Sequence, residues 1–119
     1  MERELKREKA CAVLRALGEN LGLSAEDLGT MFGVTGETAG AWQDGAMEIP
    51  ETTFAKMIAA QTALDRMLWL FRPERLPQVI RRRAEAFDGE RALDWILDGR
   101  IAEVAERYDT GLSYLPRTA

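Results

Sequence analysis

The chain has 119 residues, of which 46% are apolar and 30% charged, and its net charge is −4 at pH 7. This composition is typical of a folded globular domain and excludes a disordered chain. One cysteine and no histidine exclude an internal disulfide, histidine-ligated metals and Ser-His-Asp or Cys-His catalysis. No apolar run is long enough to span a membrane, and the N-terminal stretch lacks the apolar core of a secretory signal. We therefore expect a cytoplasmic protein that needs no cofactor or metal and is not an enzyme.

Apolar residues recur at helical spacing throughout the chain, which predicts an all-α fold. The first helix is expected over residues 2–17, with an apolar side formed by Leu5, Val13, Leu14 and Leu17. A second helix, over residues 25–31, follows Ser24, whose side chain can form a capping box with Asp27.

A glycine and a threonine predict the boundary between the second and third helices. Gly33 suits a left-handed turn that other residues adopt only at a cost. Thr35 can cap a third helix over residues 36–43. We expect Trp42, near the end of that helix, to lie in the core.

The longest predicted helix covers residues 50–71 and begins with Pro50, which suits the first helical position. Pro73 and Pro77 prevent the helix from continuing further. Its stripe is typical either of a core or of a dimer seam. The stripe consists of Phe54, Met57, Ile58, Gln61, Leu64, Met67, Leu68 and Phe71.

The remainder of the chain predicts two short helices. An arginine-rich connector over residues 78–89 leads to a fifth helix over 90–98 and a sixth over 100–109. Residues 110–119 form a tail whose apolar side chains favour an interface.

Several aromatic and basic residues of this second half allow two interpretations. Trp69 and Trp95 lie on apolar stripes, which favours burial in the core over an exposed contact. Tyr108 fits either the core or an interface. The run of arginines over residues 81–83 is typical of a solvated connector, and it is also compatible with a contact surface.

Residues 24–45 have the packing pattern of a helix-turn-helix. Leu28 and the small Gly29 occupy positions where two helices cross, and a buried Val34 follows the turn glycine. These residue types serve packing, so the pattern predicts a helical scaffold more directly than it predicts DNA contact.

The charges of this region disfavour DNA binding. Residues 16–55 contain seven acidic and no basic side chains, whereas affinity for DNA comes largely from cations that neutralise phosphates. If the third helix contacts DNA at all, the candidate residues are Thr35, Glu37, Thr38 and Gln43. Only Gln43 is a conventional base-reading side chain.

The second half contains short motifs in a characteristic order. Trp69 and Phe71 end an aromatic helix, a Pro-x-Arg-Leu turn follows at residues 73–76, and Asp-Gly-Arg closes a helix at residues 98–100. A last amphipathic helix and an aromatic tail come after them. Together with the preceding helix-turn-helix pattern, this order resembles the Xre/MbcA/ParS antitoxins over residues 10–115.

This resemblance implies a two-part organisation and a role. Residues 1–67 would form an Xre-like helix-turn-helix domain that leads through the long helix into a small helical toxin-binding domain, residues 68–119. Antitoxins of this family bind RES-domain toxins, which consume NAD or transfer its ADP-ribose, and they cover the toxin's NAD pocket. Many also form homodimers that repress their own operon. We therefore expect an antitoxin of a type II pair that acts as a homodimer by binding and not by catalysis.

Aromatic and arginine side chains dominate the energetics of many protein interfaces, and they are frequent in this half of the chain. The predicted toxin-binding residues are Trp69, Arg75, Arg81, Arg82, Arg83, Arg100, Tyr108, Leu112, Tyr114, Leu115 and Arg117.

Two other functions remain open. The chain can be an Xre-type DNA-binding transcriptional repressor that uses cations of the first helix and the connector. It can also be a helical scaffold or immunity protein whose partner has no connection with NAD.

Overall fold

The structure is a computed structural model that describes residues 2–113, with side chains over residues 3–111. Its elements are α1 (Glu2–Leu21), α2 (Ala25–Phe32), α3 (Gly36–Gln43), α4 (Glu51–Leu70), α5 (Leu76–Val79), a 3₁₀ turn (Glu85–Phe87), α6 (Ala92–Leu97) and α7 (Ile101–Ser113). Over this part of the chain no strand occurs, and only one isolated bridge, between Arg83 and Arg91, joins extended segments. The fold is therefore all-α, as the sequence predicts.

The first helix is about one turn longer than predicted, since α1 continues through Gly18 to Leu21. Leu17 and Leu21 are both fully buried, and burial of each leucine outweighs the roughly 1 kcal/mol that a helical glycine costs. The helix ends where Gly22 adopts a left-handed φ of 68°. Leu5, which was expected on the apolar side, is instead 64% exposed, and it lines an open groove with the beginning of α4.

The predicted boundaries between α2 and α3 are confirmed by their caps. Ser24 and Asp27 form the reciprocal capping box, with hydrogen bonds of 3.1 and 3.0 Å. Gly33 is left-handed, with a φ of 74°. The Thr35 hydroxyl accepts a hydrogen bond of 3.1 Å from the backbone N–H of Thr38. These local contacts fix the beginning of both helices.

A close approach of two backbone segments explains the glycine in α2. A Cβ atom at Gly29 would lie 2.7 Å from the carbonyl oxygen of Val34 and 2.8 Å from the backbone of Thr35. Only glycine fits where α2 meets the turn before α3. Leu28 and Trp42 are both buried, as predicted.

The long helix α4 packs against both α1 and α7. Its inner face is buried, and the residues on that face are Met57, Ala60, Ala63, Leu64 and Met67. The sequence left open whether the stripe on this helix forms part of the core or a dimer seam. The residues of the stripe that are buried in the structure belong to the core.

The helices α4 and α7 run side by side in the same direction. Ala59 near the beginning of α4 lines a groove with Ala102 near the beginning of α7. Further along, Arg66 donates a hydrogen bond of 2.8 Å to Asp109. A parallel pair needs a long return segment, and residues 71–100 provide it.

The return segment is more ordered than the connector that the sequence predicts. It contains α5 and the 3₁₀ turn, and it buries Leu76, Ile80 and Phe87 completely. The sequence predicts only a connector over 78–89, because elements of one turn are too short to show helical periodicity.

The last two helices differ from their predicted lengths. The helix α6 is shorter than the predicted 90–98, whereas α7 extends four residues beyond the predicted end at 109. Residues 110–113, which were assigned to the tail, are helical. Residues 114–119 lie outside the described part of the chain.

Buried side chains from both halves of the chain form a single apolar cluster. Leu14 and Leu17 of α1, Leu64 of α4, and Ile96 and Val104 of the last two helices all belong to it. The predicted division into units at residue 67 therefore crosses a shared core, with α4 common to both sides.

Candidate functional site

Two arginines cover the ring of Trp95 at the junction of α6 and α7. The guanidinium carbon of Arg100 lies 3.9 Å from the ring centroid and that of Arg107 lies 4.7 Å from it. Trp95 is only 3% exposed, and its indole N–H donates a hydrogen bond of 2.7 Å to Glu90 Oε2. These four residues and Glu103 form what we call the Trp95 surface. Its outer layer is charged and its floor is aromatic.

Hydrogen bonds hold both arginines of the Trp95 surface in place. Arg100 donates to both carboxylate oxygens of Glu103, at 3.2 and 2.8 Å. Arg107 donates to the carbonyl oxygen of Ala86 at 2.7 Å. The hydrogen bond from Arg100 lowers the pKa of Glu103, and the same contact raises the pKa of Arg100. Both groups therefore remain charged near neutral pH, with fixed positions that suit directional contacts.

An aromatic cluster connects the Trp95 surface with the core. The ring of Phe87 packs edge-to-face against Trp95 at 5.2 Å and against Tyr108 at 5.1 Å, and Phe71 contacts Tyr108 at 4.9 Å. Burial raises the pKa of Tyr108 to about 12. Edge-to-face pairs add to the stabilisation that burial alone provides, so the floor of this surface is rigid.

An open groove of about 510 Å³ lies beside the Trp95 surface. Its walls come from the 3₁₀ turn and α7, and the lining residues are Ala86, Glu103, Glu106, Arg107, Thr110 and Gly111. Charges of both signs stand around apolar atoms there. Such a groove can accept a loop or an extended segment of another protein.

The start of α6 is fixed by a contact that the sequence analysis missed. The side chain of Arg91 donates to Asp94 at 3.1 and 2.6 Å, and the Arg91 backbone N–H also donates to Asp94. These hydrogen bonds lower the pKa of Asp94. The contact fixes the first turn of α6, which carries Trp95 and directly follows Glu90 and Arg91.

Arg100 and Tyr108 are the predicted toxin-binding residues that belong to this region. Glu90, Glu103 and Arg107 were not predicted from the sequence. The charge spacing of three and four residues along α7 was the available signal, because it places Arg100, Glu103 and Arg107 on one helical face.

The arginine run of the connector divides into different environments. Arg81 donates to the carbonyl oxygens of Leu21, Gly22 and Pro77, at 2.9, 2.8 and 2.7 Å, so it fastens the end of α1 to α5. It is exposed, yet its hydrogen bonds are made within the chain, and its predicted contact with a toxin remains a prediction.

The other predicted arginines of this segment are exposed. Arg83 donates to the Gly89 carbonyl oxygen at 3.3 Å. The side chains of Arg75 and Arg82 point into solvent. They lie on the return segment and not among the five residues of the Trp95 surface.

The apolar stripe favours a core position for Trp69, but the structure places it on α4 with 90% of its surface exposed. The inner face of α4 is already filled by smaller side chains, and Trp69 projects from the opposite face. Trp95, in contrast, is buried as predicted. The side chain of Leu112 and the residues Tyr114, Leu115 and Arg117 lie outside the described side chains, and their predicted contacts remain predictions.

Two of the four candidate DNA-contacting residues, Thr35 and Thr38, form local hydrogen bonds. The hydroxyl of Thr35 contacts both the backbone N–H and the hydroxyl of Thr38. Gln43 is half-buried, and Glu37 is exposed. The outward face of α3 therefore presents an acidic side chain and two hydroxyls that already bond to each other.

Within residues 3–111, no three His, Cys, Asp or Glu side chains are grouped as metal ligands. None of the helices in this range combines the length and apolar character that crossing a bilayer demands.

Comparisons with family models, with curated proteins and with solved structures find no match.

Proposed function

We propose that the chain is an antitoxin that neutralises a RES-domain, NAD-consuming toxin by binding over its active site. The observation that carries this proposal is the pair of arginines, Arg100 and Arg107, held over Trp95 at 3.9 and 4.7 Å. Arginine stacked on a rigid aromatic floor is the kind of anchor that dominates binding energy in protein interfaces. The first helical domain, residues 1–67, and the toxin-binding domain, residues 68–119, are part of this proposal.

The location of the Trp95 surface supports binding over a pocket. The groove beside it follows α7 as far as Gly111, and α7 leads directly into residues 114–119. A partner seated on Arg100, Arg107 and the groove is therefore in reach of the C-terminal segment. That segment carries Tyr114, Leu115 and Arg117, which can enter a cavity of the partner.

The charges of this surface suit a pocket built for a dinucleotide. A pocket for NAD contains donors for the anionic pyrophosphate, and Glu106 on the wall of the groove is an exposed carboxylate that can satisfy such donors. The arginines can meet acidic side chains of the toxin. Neutralisation then follows from occlusion and requires no reaction by this chain.

The first experiment is co-expression with the product of the adjacent reading frame. We expect the neighbouring protein alone to deplete intracellular NAD and stop growth, and we expect this chain to restore both and to copurify with it. A harmless neighbour that does not copurify would contradict the proposal.

Two variants sharpen this experiment. A chain that ends at Ser113 should fold but protect poorly. The deletion must begin at residue 114, because residues 109–113 belong to α7 and Asp109 contacts Arg66.

The double variant Arg100→Glu, Arg107→Glu should also lose protection, whereas the matched charge reversal Lys9→Glu on the exposed side of α1 should protect fully. Circular dichroism checks that each variant is folded. Full protection by the double variant would show that the Trp95 surface is not the contact.

A second candidate function, DNA binding, is favoured by a cationic cleft of about 540 Å³ between α1 and the start of α4. Arg3, Lys6 and Arg7 line it, although Glu48 and Glu51 share the same cleft and Arg3 approaches Glu48 at 3.6 Å. A repressor that contacts phosphates there should bind its operator with an affinity that falls steeply as salt rises. Binding that is absent at low salt would exclude this candidate.

A further inference from the structure

Trp69 is the most exposed large apolar side chain among residues 3–111, with 90% of its surface open. It lies near the end of α4, on the side opposite the buried residues of that helix. The half-buried Leu70 and the exposed Pro73 follow it in the chain. An indole at the centre of an exposed apolar patch is typical of a surface that another segment covers.

The end of α7 brings the chain to the level of this indole. The helices α4 and α7 run in the same direction, and Arg66 donates a hydrogen bond of 2.8 Å to Asp109. Trp69 lies about 4.5 Å beyond Arg66 along α4, and Ser113, the last residue of α7, lies about 6 Å beyond Asp109. Residues 114–119 therefore continue from a point beside the end of α4.

The distance from α7 to the indole can be bridged by a few residues. Trp69 and Arg66 are three positions apart, which places their side chains about 60° apart around α4, as neighbours on its surface. An extended chain advances about 3.5 Å per residue, so residues 114–117 span about 14 Å, slightly more than the width of a helix. The groove beside Phe54 lies about 22 Å further back along α4, beyond the reach of these four residues.

The apolar side chains of this segment suit the indole. Tyr114, Leu115 and Pro116 come in succession, and rings and aliphatic groups pack well on an aromatic face. Pro116 has a fixed φ angle, so ordering it costs less conformational entropy than ordering other residues.

The charges around Trp69 suit the residue that follows. Asp65, one turn before Trp69, is exposed, and its Oδ1 accepts a hydrogen bond of 2.8 Å from Gln61. Its carboxylate can also accept from Arg117. The exposed Arg72 lies one turn beyond the indole, so a further cation is favoured on the Asp65 side of Trp69 and disfavoured on the other.

We propose that residues 114–117 fold back over the end of α4 and cover Trp69, and that Arg117 forms an ion pair with Asp65. A segment tethered beside the indole reaches it at a high effective concentration, whereas a separate partner has to be recruited from solution. The contact is made within one chain and does not rest on the proposed function. Where that function also holds, the segment leaves Trp69 when it enters the toxin.

The indole N–H signals of the ¹⁵N-labelled, full-length chain test this contact. A neutral gadolinium chelate in solution broadens each signal according to its exposure, and the variant Trp69→Phe identifies the signal of Trp69. We expect the chain that ends at Ser113 to show at least a twofold larger broadening of that signal. The signals of the buried Trp42 and Trp95 should not change.

Single substitutions in the full-length chain locate the contact. Leu115→Ser should raise the broadening of the Trp69 signal, whereas the matched control Thr118→Ser, outside the contact, should not. Arg117→Glu should also raise it, and the charge exchange Asp65→Arg, Arg117→Glu should restore the protection of Trp69. Circular dichroism checks that each variant is folded.

A disulfide tests the position of the segment directly. In a Cys11→Ser background, the pair Asp65→Cys, Arg117→Cys should form a disulfide within one chain on mild oxidation, at least tenfold faster than the control pair Ala55→Cys, Arg117→Cys. The exposed Ala55 lies about 15 Å further back along α4 than Asp65.

Three results would overturn the proposal. The first is equal broadening of the Trp69 signal with and without residues 114–119, and the second is equal rates for the two cysteine pairs. The third is protection of Trp69 that appears only as the protein concentration rises, because this result would assign the indole to a contact with a second copy.

Discussion

The α2–α3 region and the Trp95 surface are both built from short helices, but they are stabilised in different ways. In the α2–α3 region, polar side chains such as Ser24 and Thr35 bond to neighbouring backbone, and Gly29 allows two backbone segments to touch. On the Trp95 surface, rings pack edge-to-face under charged side chains that bond to one another. The first region satisfies its polar groups locally and presents few groups to a partner. The second keeps arginines at its surface, which is why we propose it as the binding surface.

The largest expected effect comes from removing the aromatic floor. Phe87→Ala deletes a fully buried ring that contacts both Trp95 and Tyr108, and such deletions cost about 3–5 kcal/mol in the free energy of unfolding. Urea denaturation followed by circular dichroism measures this loss. Amide hydrogen exchange should show that protection falls over residues 84–108 more than over residues 25–43. Phe71→Ala removes a half-buried ring from the same cluster and should cost clearly less. Equal losses for the two variants would show that burial of Phe87 is not decisive.

A second pair of variants addresses the α2–α3 region. Gly29→Ala forces a Cβ atom to within 2.7 Å of the Val34 carbonyl oxygen, and backbone cannot move aside as a side chain can, so we expect a loss of about 2–3 kcal/mol. Gly40→Ala is the matched control, because nothing lies within 4 Å of the added atom. It should stabilise α3 by up to about 1 kcal/mol, since alanine is the better helix former. Thermal and urea unfolding measure the change in the free energy of unfolding of each variant. A change of the same sign in both variants would refute the packing argument.

The link between the N-terminal helices and the return segment has a smaller expected effect. Arg81→Met removes hydrogen bonds to the carbonyl oxygens of Leu21 and Gly22 but keeps most of the aliphatic chain, so a loss of about 1 kcal/mol is expected. Arg82→Met, at the neighbouring exposed position, should leave the free energy of unfolding unchanged. If the two variants are equally stable, the contacts of Arg81 contribute nothing measurable.

The smallest effect is a change of stability at high pH. Burial raises the pKa of Tyr108 to about 12, whereas an unfolded tyrosine titrates near 10. The folded state therefore favours the neutral phenol, and this contribution is complete below about pH 10 and disappears as the pH rises towards 12. Tyr114→Phe leaves Tyr108 as the only tyrosine, so the phenolate absorbance of this variant reports its pKa. Titration near 10 would contradict the burial of the ring.

Helix content and caps could be predicted from the sequence because their causes are local. Ser24, Gly33 and Thr35 each act on residues a few positions away, and the structure confirms all three. On α4 the helical period identified part of the buried face, although its two buried alanines were not predicted.

Trp69 and Trp95 show where such reasoning ends. Both lie on apolar stripes, yet one is 90% and the other 3% exposed, because burial depends on which distant segment covers each helix face. Trp95 is covered by Arg107, which lies one helix further along the chain, and Trp69 has no described segment on its side of α4. Arg81 illustrates the same limit, since its acceptors at residues 21 and 22 are about 60 positions away.

The acceptors of Arg81 also have a consequence for acidic conditions. Backbone carbonyl oxygens do not titrate, whereas the ion pair between Arg100 and Glu103 depends on an ionised carboxylate, whose pKa that contact lowers. Once the pH falls below this lowered pKa, the ion pair dissociates. The attachment of α1 to α5 through a permanently charged guanidinium and neutral oxygens remains. In acid, the contact at the beginning of α7 should therefore be lost while the junction that Arg81 holds persists.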